Sequence, residues 1–117
     1  MESTSIVIIG LGKVGTFFLE QLIQRSNLGL HIACVVEPEN THGKIIAQNH
    51  AIACVGMADV IDFSEDVGFI FNCTGDRDIQ VLLREELDKA ENKQTEVVSD
   101  HVLKVIWSIL SDEAMPS

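Results

Sequence analysis

Apolar, β-branched runs alternate with amphipathic segments along the chain, and this alternation constrains the fold more than any other feature. The runs have the pattern of strands buried on both faces and lie at residues 5–10, 30–36, 51–55, 68–73 and 95–99. The segments between them have helical spacing and lie at residues 13–25, 43–49, 57–63, 78–90 and 100–110. Parallel strands need crossover connections, so the sequence predicts an α/β fold, a three-layer doubly wound parallel sheet of about five strands.

Length and composition predict one soluble domain. A chain of 117 residues supplies a single core, which we expect at residues 5–110 of one domain spanning 1–117, with a frayed tail at 111–117. The net charge of −10 argues against a nucleic-acid partner or an anionic membrane, because both require clustered Lys and Arg. The apolar runs are too short to span a bilayer and no signal sequence precedes them, so we expect a cytoplasmic location.

Three cysteines, Cys34, Cys54 and Cys73, agree with that location because none forms a Cys-x-x-Cys pair. Each lies in an apolar run, which predicts small buried side chains. Cys73 ends its strand beside a loop, which makes it the one candidate for redox sensing. The four histidines have no mutual spacing typical of a metal site, and we predict no metal.

A glycine-rich turn of the form Gly-x-Gly-x-x-Gly follows the first predicted strand and opens the first predicted helix. Gly10 permits the tight turn, Gly12 lets a pyrophosphate approach the backbone, and Gly15 lets the helix pack against the sheet. The first helical turn offers N–H groups and a positive dipole end to phosphates. The alternative is that the glycines only form a turn. The residues predicted to contact a dinucleotide here are Gly10, Leu11, Gly12, Lys13, Val14 and Gly15.

An acidic residue, Glu37, follows the second predicted strand about twenty residues beyond the glycine turn. A carboxylate at this place accepts hydrogen bonds from the hydroxyls of an adenine ribose. Pro38 and Glu39 follow it, and the next basic side chain is Lys44, so a 2′-phosphate would meet repulsion. The pattern favours NAD(H) over NADP(H). The alternative is that Glu37 is a solvated strand end.

The turn after the fourth predicted strand is a second candidate wall of the site. We expect this strand beside the first, so that Cys73, Thr74 and Gly75 line the nicotinamide end of a dinucleotide. The alternative role of this turn is structural, with Asp76 capping the following helix. Residues 99–101 are likewise expected to cap the last helix.

Three segments resemble known proteins: IVIIGLGKVG at residues 6–15, IACVVEPE at 32–39 and FIFNCTGD at 69–76. Residues 5–110 resemble the NAD(P)-binding Rossmann-fold domain that opens oxidoreductases of the glucose–fructose oxidoreductase, homoserine dehydrogenase and dihydrodipicolinate reductase families. The chain also resembles small stand-alone or N-terminal dinucleotide-binding modules of some bacterial signalling proteins. The resemblance implies phosphate contact at the three glycines, ribose contact at Glu37, and a nicotinamide-side wall around Thr74 and Gly75.

The sequence departs from those enzyme families in one respect. Their second domain supplies the catalytic residues, whereas this sequence ends shortly after Leu110, so no position matches them. We therefore expect an NAD(H)-binding domain without its own catalytic domain, regulatory or cofactor-sensing, and we assign no catalytic residue. Two alternatives stay open. One is a nucleotide-binding fragment or subunit of an NAD-dependent oxidoreductase, and the other is a ligand-free dimerisation scaffold.

The last predicted helix carries two apolar stripes. One consists of Val102, Val105, Ile106 and Ile109, and the other of Leu103, Trp107 and Leu110. One stripe can face the sheet, which leaves the other for a partner. We predict a homodimer through Leu103, Trp107 and Leu110. The alternative is that the chain's own loops cover the helix.

Overall fold

Four parallel strands form the sheet within residues 3–116, the part of the chain that the computed structural model describes. They are β1 (Thr4–Ile9), β2 (Leu30–Val36), β3 (Phe69–Asn72) and β4 (Glu96–Val98), in the order β2-β1-β3-β4. Strand β1 lies between β2 and β3, and its apolar side chains are buried on both faces. This position explains why its sequence is continuously apolar rather than alternating.

Helices cover both faces of this sheet: α1 (Lys13–Gln24), α2 (His42–Asn49), α3 (Met57–Asp62), α4 (Arg77–Lys89) and α5 (Asp100–Leu110), with short 3₁₀ turns at Ser26–Leu28 and Ser64–Asp66. Side chains of α1, α2 and α5 pack against Ile6 and Ile8 on one face. Those of α3 and α4 pack against Val7 and Ile9 on the other face, because successive strand residues point to opposite sides. The predicted three-layer, doubly wound parallel α/β fold is confirmed.

The sheet has one strand fewer than expected, because residues 51–55 do not form a strand. This segment makes a single bridge at the outer edge of β2, between Cys54 and Val35. The Val35 N–H donates to the Ala53 carbonyl and the Val55 N–H donates to the Val35 carbonyl, each in a 2.9 Å hydrogen bond. The Asp59 carboxylate then accepts a hydrogen bond from the Gly56 N–H at the start of α3, so the chain turns away before the pairing can extend.

The orientation of α5 contradicts the predicted dimer interface. Leu103 is fully buried and Trp107 is 5% exposed, because both side chains pack on α1 and the sheet. The rings of Trp107 and Phe17 lie 3.9 Å apart between centroids. Leu103 and Trp107 therefore face the core while Leu110 is half-buried, and the prediction that this stripe contacts a partner is wrong for Leu103 and Trp107. The exposed apolar side chains of α5 are Val102, Val105 and Ile109.

The segment after α5, where we expected a frayed tail, lies against the core as far as it is described. The indole N–H of Trp107 donates a 2.7 Å hydrogen bond to the carbonyl of Glu113, and Met115 packs against the cluster that contains Trp107. Ser117 lies outside the described residues. None of the helices within residues 3–116 has the length and hydropathy to cross a bilayer.

Candidate functional site

A cleft of about 630 Å³ opens at the carboxyl ends of β1, β2 and β3. Strand β1 pairs with β2 on one side and with β3 on the other, so this is the point where the strand order reverses. Ligands of open α/β sheets bind in the crevice outside the carboxyl ends at such a point. The cleft wall consists of Ile9, Gly10, Gly12, Val36, Glu37, Pro38, Val55, Gly56, Met57, Cys73, Thr74 and Ile79.

The glycine turn forms one wall of the cleft, and its three glycines have different roles. Gly10 has a φ of +89°, a left-handed conformation that a side chain would strain. A Cβ at Gly15 would overlap the carbonyl oxygen of Gly10, so this glycine is needed for the helix to meet the turn. A Cβ at Gly12 would have no atom within 4 Å, so Gly12 faces open space.

The start of α1 presents unsatisfied backbone donors beside this open space. Gly12 is the N-cap and contributes no side-chain acceptor. The N–H groups of Gly12, Lys13 and Val14 find no hydrogen-bond partner among residues 3–116. Such donors, together with the positive end of the helix dipole, form the usual anion site at a helix N-terminus.

Glu37 is buried at the junction between β2 and the glycine turn. Its side chain is 8% exposed, so the alternative interpretation of Glu37 as a solvated strand end is wrong. Oε1 accepts a 2.7 Å hydrogen bond from the Leu11 N–H, and Oε2 accepts a 3.0 Å bond from the Glu39 N–H. A carboxylate has about four acceptor positions, so two remain after these bonds. Glu37 is also part of the cleft wall.

The turn after β3 forms the facing wall, and buried Asn72 holds it in place. The Asn72 side-chain oxygen accepts hydrogen bonds from the Thr74 N–H at 3.2 Å and from the Thr74 hydroxyl at 2.6 Å. Its amide nitrogen donates to the Asp76 carbonyl at 3.2 Å. Asp76 in turn caps α4 by accepting a 2.8 Å bond from the Asp78 N–H. The capping role expected for Asp76 is confirmed, while Cys73 and Thr74 border the cleft.

The remaining predicted contact residues do not border this cleft. The side chain of Leu11 is fully buried and its N–H is taken by Glu37. Val14 packs against the core, and Lys13 lines a separate depression beside α5. Gly75 has a φ of +75° and borders a different cavity, between α4 and α5. The backbone N–H groups of Lys13 and Val14 nevertheless lie next to Gly12, which borders the cleft.

Two thiols, Cys73 in the cleft wall and Cys34 in β2, have raised pKa values that keep them protonated at neutral pH. Burial, together with a smaller effect of the Asp100 carboxylate, raises the pKa of Cys73 to about 12. Burial likewise raises the pKa of Cys34 to about 11, with smaller effects from Cys54 and Asp59. Cys54 is exposed, so the prediction of three buried cysteines is wrong for that residue. Redox sensing at Cys73 would require a thiolate, which the raised pKa disfavours.

Sequence reasoning missed the part of the cleft wall that α3 and α4 contribute. Val55, Gly56 and Met57 lie at the start of α3, and Ile79 lies in the first turn of α4. No motif spacing in the sequence marks these four residues, because the packing of α3 and α4 beside the strand ends brings them to the cleft.

No group of three or more His, Cys, Asp or Glu side chains within residues 3–116 is arranged to hold a metal ion. No protein-family model and no curated protein sequence matches the chain.

Proposed function

We propose that the chain binds NAD(H) and acts as a regulatory or cofactor-sensing module that does not transfer hydride by itself. The observation that carries the proposal is that one cleft borders both Gly12 and Glu37. Gly12 offers unobstructed backbone, and Glu37 offers a carboxylate with free acceptor positions. A dinucleotide needs these two features in one crevice, the first for its pyrophosphate and the second for its adenine ribose.

The apolar part of the cleft suits the rings of a dinucleotide. Val55, Met57 and Ile79 line it alongside Val36, and polar groups are few. Small-molecule sites typically combine an apolar lining with a few polar groups that fix orientation. A cleft of about 630 Å³ also lies within the usual range for such sites.

Glu37 supports a preference for NAD(H) over NADP(H). A 2′-phosphate on the ribose would bring negative charge to a buried carboxylate that already lies at the end of the cleft. Pro38 is the next residue in the cleft wall, and no Lys or Arg side chain belongs to that wall within residues 3–116. The extra phosphate would therefore meet repulsion without a compensating cation.

The titratable side chains of the cleft wall favour binding without turnover. Glu37 and Cys73 are the titratable side chains of its wall within residues 3–116. Both oxygens of Glu37 accept backbone hydrogen bonds, and the raised pKa keeps Cys73 protonated. General acid–base catalysis is most efficient when the pKa of the group lies near the working pH, which disfavours the Cys73 thiol. We therefore propose binding without turnover in the isolated chain.

A second candidate is a nucleotide-binding subunit of an NAD-dependent oxidoreductase, in which another polypeptide contributes the catalytic groups. Within residues 3–116 this candidate uses the same cleft and predicts the same cofactor contacts. It differs in one outcome, because hydride transfer would appear once the partner is added. The third candidate, a ligand-free dimerisation scaffold, predicts self-association and no binding of either cofactor form.

We also propose that the module pairs with a second copy through the outer face of α5. Val102, Val105 and Ile109 share this face, and Ile109 is 76% exposed. Exposed apolar side chains that share one face commonly mark an interface. The face is opposite to the one that the sequence suggested, while the expected partner, a homodimer, is the same.

The proposal is tested by calorimetric titration of the whole chain with NAD⁺, NADH and NADP⁺. We expect NAD⁺ or NADH to bind, and NADP⁺ to bind at least about tenfold more weakly, which corresponds to about 1.4 kcal/mol. Absorbance of NADH in the presence of common 2-hydroxy and amino acids should stay constant. Absence of binding by both NAD⁺ and NADH at millimolar concentration would overturn the proposal.

A further inference from the structure

A second cavity, of about 400 Å³, lies between the first turns of α4 and α5. We call it the α4–α5 cavity. It is separate from the cleft, because the two share no lining residue and the turn after β3 divides them, with Thr74 on the cleft side and Gly75 on the cavity side. We propose that the α4–α5 cavity binds a small oxyanion, a carboxylate or a phosphate group.

The charges around the α4–α5 cavity differ in sign from the rest of the chain. Its lining includes three of the eight Lys and Arg side chains, namely Arg77, Arg84 and Lys104. Two carboxylates, Asp76 and Asp100, also line it, so the cations are in excess. The chain as a whole carries a net charge of −10. A local excess of cations on such a surface attracts a small anion to this cavity.

The two carboxylates are already engaged with the protein. Asp76 accepts a hydrogen bond from the Asp78 N–H as the cap of α4. Asp100 lies 4.0 Å from the ammonium group of Lys104, in an exposed pair. Exposed pairs of this kind contribute little, so Lys104 remains available to a ligand that offers better geometry.

A buried amide in the cavity wall lacks a hydrogen-bond acceptor. The Gln80 side-chain oxygen accepts a 3.1 Å hydrogen bond from Asn72, which fixes the orientation of the amide. Its nitrogen, Nε2, is then buried without a partner among residues 3–116. A buried donor without an acceptor costs about 1–3 kcal/mol, and such groups call for a physical explanation. An oxyanion lodged against Gln80 would supply the missing acceptor.

Two helix N-termini add to this arrangement. Helices α4 and α5 both begin at the cavity, with Arg77 and Asp100 as their first residues. Both helices exceed two turns, so the positive ends of their dipoles lie at the cavity wall, each with one carboxylate in the first turn, Asp78 in α4 and Asp100 in α5. Cations, an unpartnered amide and two helix dipoles thus converge on a cavity that the proposed dinucleotide site does not use.

The test is calorimetric titration of the whole chain with inorganic phosphate and, separately, with malonate at constant ionic strength. The cavity variant combines Arg77→Gln with Lys104→Gln, both at exposed positions. The control combines Lys89→Gln with Lys93→Gln, which removes the same charge outside the cavity. The control is also matched in structure, because Lys89 and Lys104 each belong to one exposed ion pair.

We expect at least one probe to bind the wild-type chain, and the cavity variant to weaken that binding by at least about tenfold while the control does not. The probe that binds more tightly identifies a phosphate or a carboxylate as the preferred group. Equal weakening in both variants, or no binding of either probe up to about 10 mM, overturns the proposal. So does phosphate binding that Gly12→Val abolishes and the cavity variant leaves intact, because that result assigns the anion to the glycine turn.

Discussion

The Oε1 oxygen of Glu37 accepts a 2.7 Å hydrogen bond from the backbone N–H of Leu11, which ties the end of β2 to the glycine turn. The same carboxylate accepts a second bond from the Glu39 N–H through Oε2. Glu37 therefore stabilises the shape of the turn before any ligand is present. A residue whose sequence position suggests ribose binding therefore also organises the backbone of the glycine turn.

Replacing this carboxylate by its amide separates the two roles. In Glu37→Gln the amide oxygen keeps the Leu11 N–H, but the new NH₂ group faces the Glu39 N–H, so two donors meet. We expect the free energy of unfolding to fall by about 1–3 kcal/mol, measured by urea denaturation with Trp107 fluorescence. The NAD⁺ preference over NADP⁺ should also shrink. The exposed control Glu39→Gln should change neither quantity, and an equal loss of stability in the two variants would contradict this role of Glu37.

Two glycines in the same turn should lose different amounts of stability when a methyl group is added. Gly15→Ala places its Cβ on the Gly10 carbonyl, which forces the backbone apart. We expect a loss of about 2–3 kcal/mol or more in the free energy of unfolding. Gly12→Ala meets no atom within 4 Å and should cost no more than about 1 kcal/mol, the usual effect of a poorer N-cap. Chemical denaturation of both variants measures this difference, and similar losses would show that the turn is packed differently.

Buried thiols make the stability of the fold sensitive to alkaline pH. The pKa values of Cys34 and Cys73 rise from 9.0 to about 11 and about 12 in the folded chain, so the folded state binds these protons more tightly than the unfolded state. The free energy of unfolding is therefore unaffected by them below pH 9 and falls between pH 9 and 12. The slope is at most about 1.4 kcal/mol per pH unit for each thiol.

Urea denaturation at a series of pH values checks this dependence. Lysines also titrate in this range, so the comparison is with the double variant Cys34→Ala, Cys73→Ala. The chain has no tyrosine, so no phenol titration disturbs the fluorescence of Trp107. We expect a shallower alkaline decline in the double variant. Parallel curves for the two proteins would mean that these thiols are not shifted.

Substitutions on the two faces of α5 should affect different properties, the oligomeric state on the exposed face and the stability on the buried face. Val105→Glu puts a charge on the exposed face and should convert a dimer into a monomer in light scattering, with the fold intact. Trp107→Ala removes a buried ring and should instead cost about 3–5 kcal/mol of stability. An unchanged mass for Val105→Glu would remove the outer face of α5 from consideration as the dimer interface.

The sequence predicts most of the fold because hydrophobic periodicity reports burial directly. The continuous apolar run of β1 needs cover on both faces, and its position in the sheet provides it. Residues 51–55 are also apolar but pair only at Val35, because strand formation depends on whether the chain stays beside its neighbour. Composition gives no information about that path, so the strand count was one too high.

The two stripes of α5 show a related limit. Both are apolar, and periodicity cannot tell which one faces the sheet. The choice depends on tertiary fit, since Trp107 stacks on Phe17 and its N–H reaches the Glu113 carbonyl. The glycine turn and Glu37 were found from their spacing, whereas the hydrogen bond from Leu11 to Glu37 depends on the approach of β1 to β2. The cleft residues Val55 and Met57 had no local signal at all.

Calorimetric titration of the wild-type chain and of Gly12→Val with NADH tests whether the glycine turn binds the pyrophosphate of the cofactor. The valine side chain enters the open space before Gly12, in an extended backbone conformation that it tolerates, so the fold should persist. We predict that NADH binds the wild-type chain and that Gly12→Val weakens this binding at least about tenfold, with little change in the free energy of unfolding. Equal affinity in the two proteins would contradict pyrophosphate binding at the glycine turn, and no binding to the wild-type chain would contradict cofactor binding altogether.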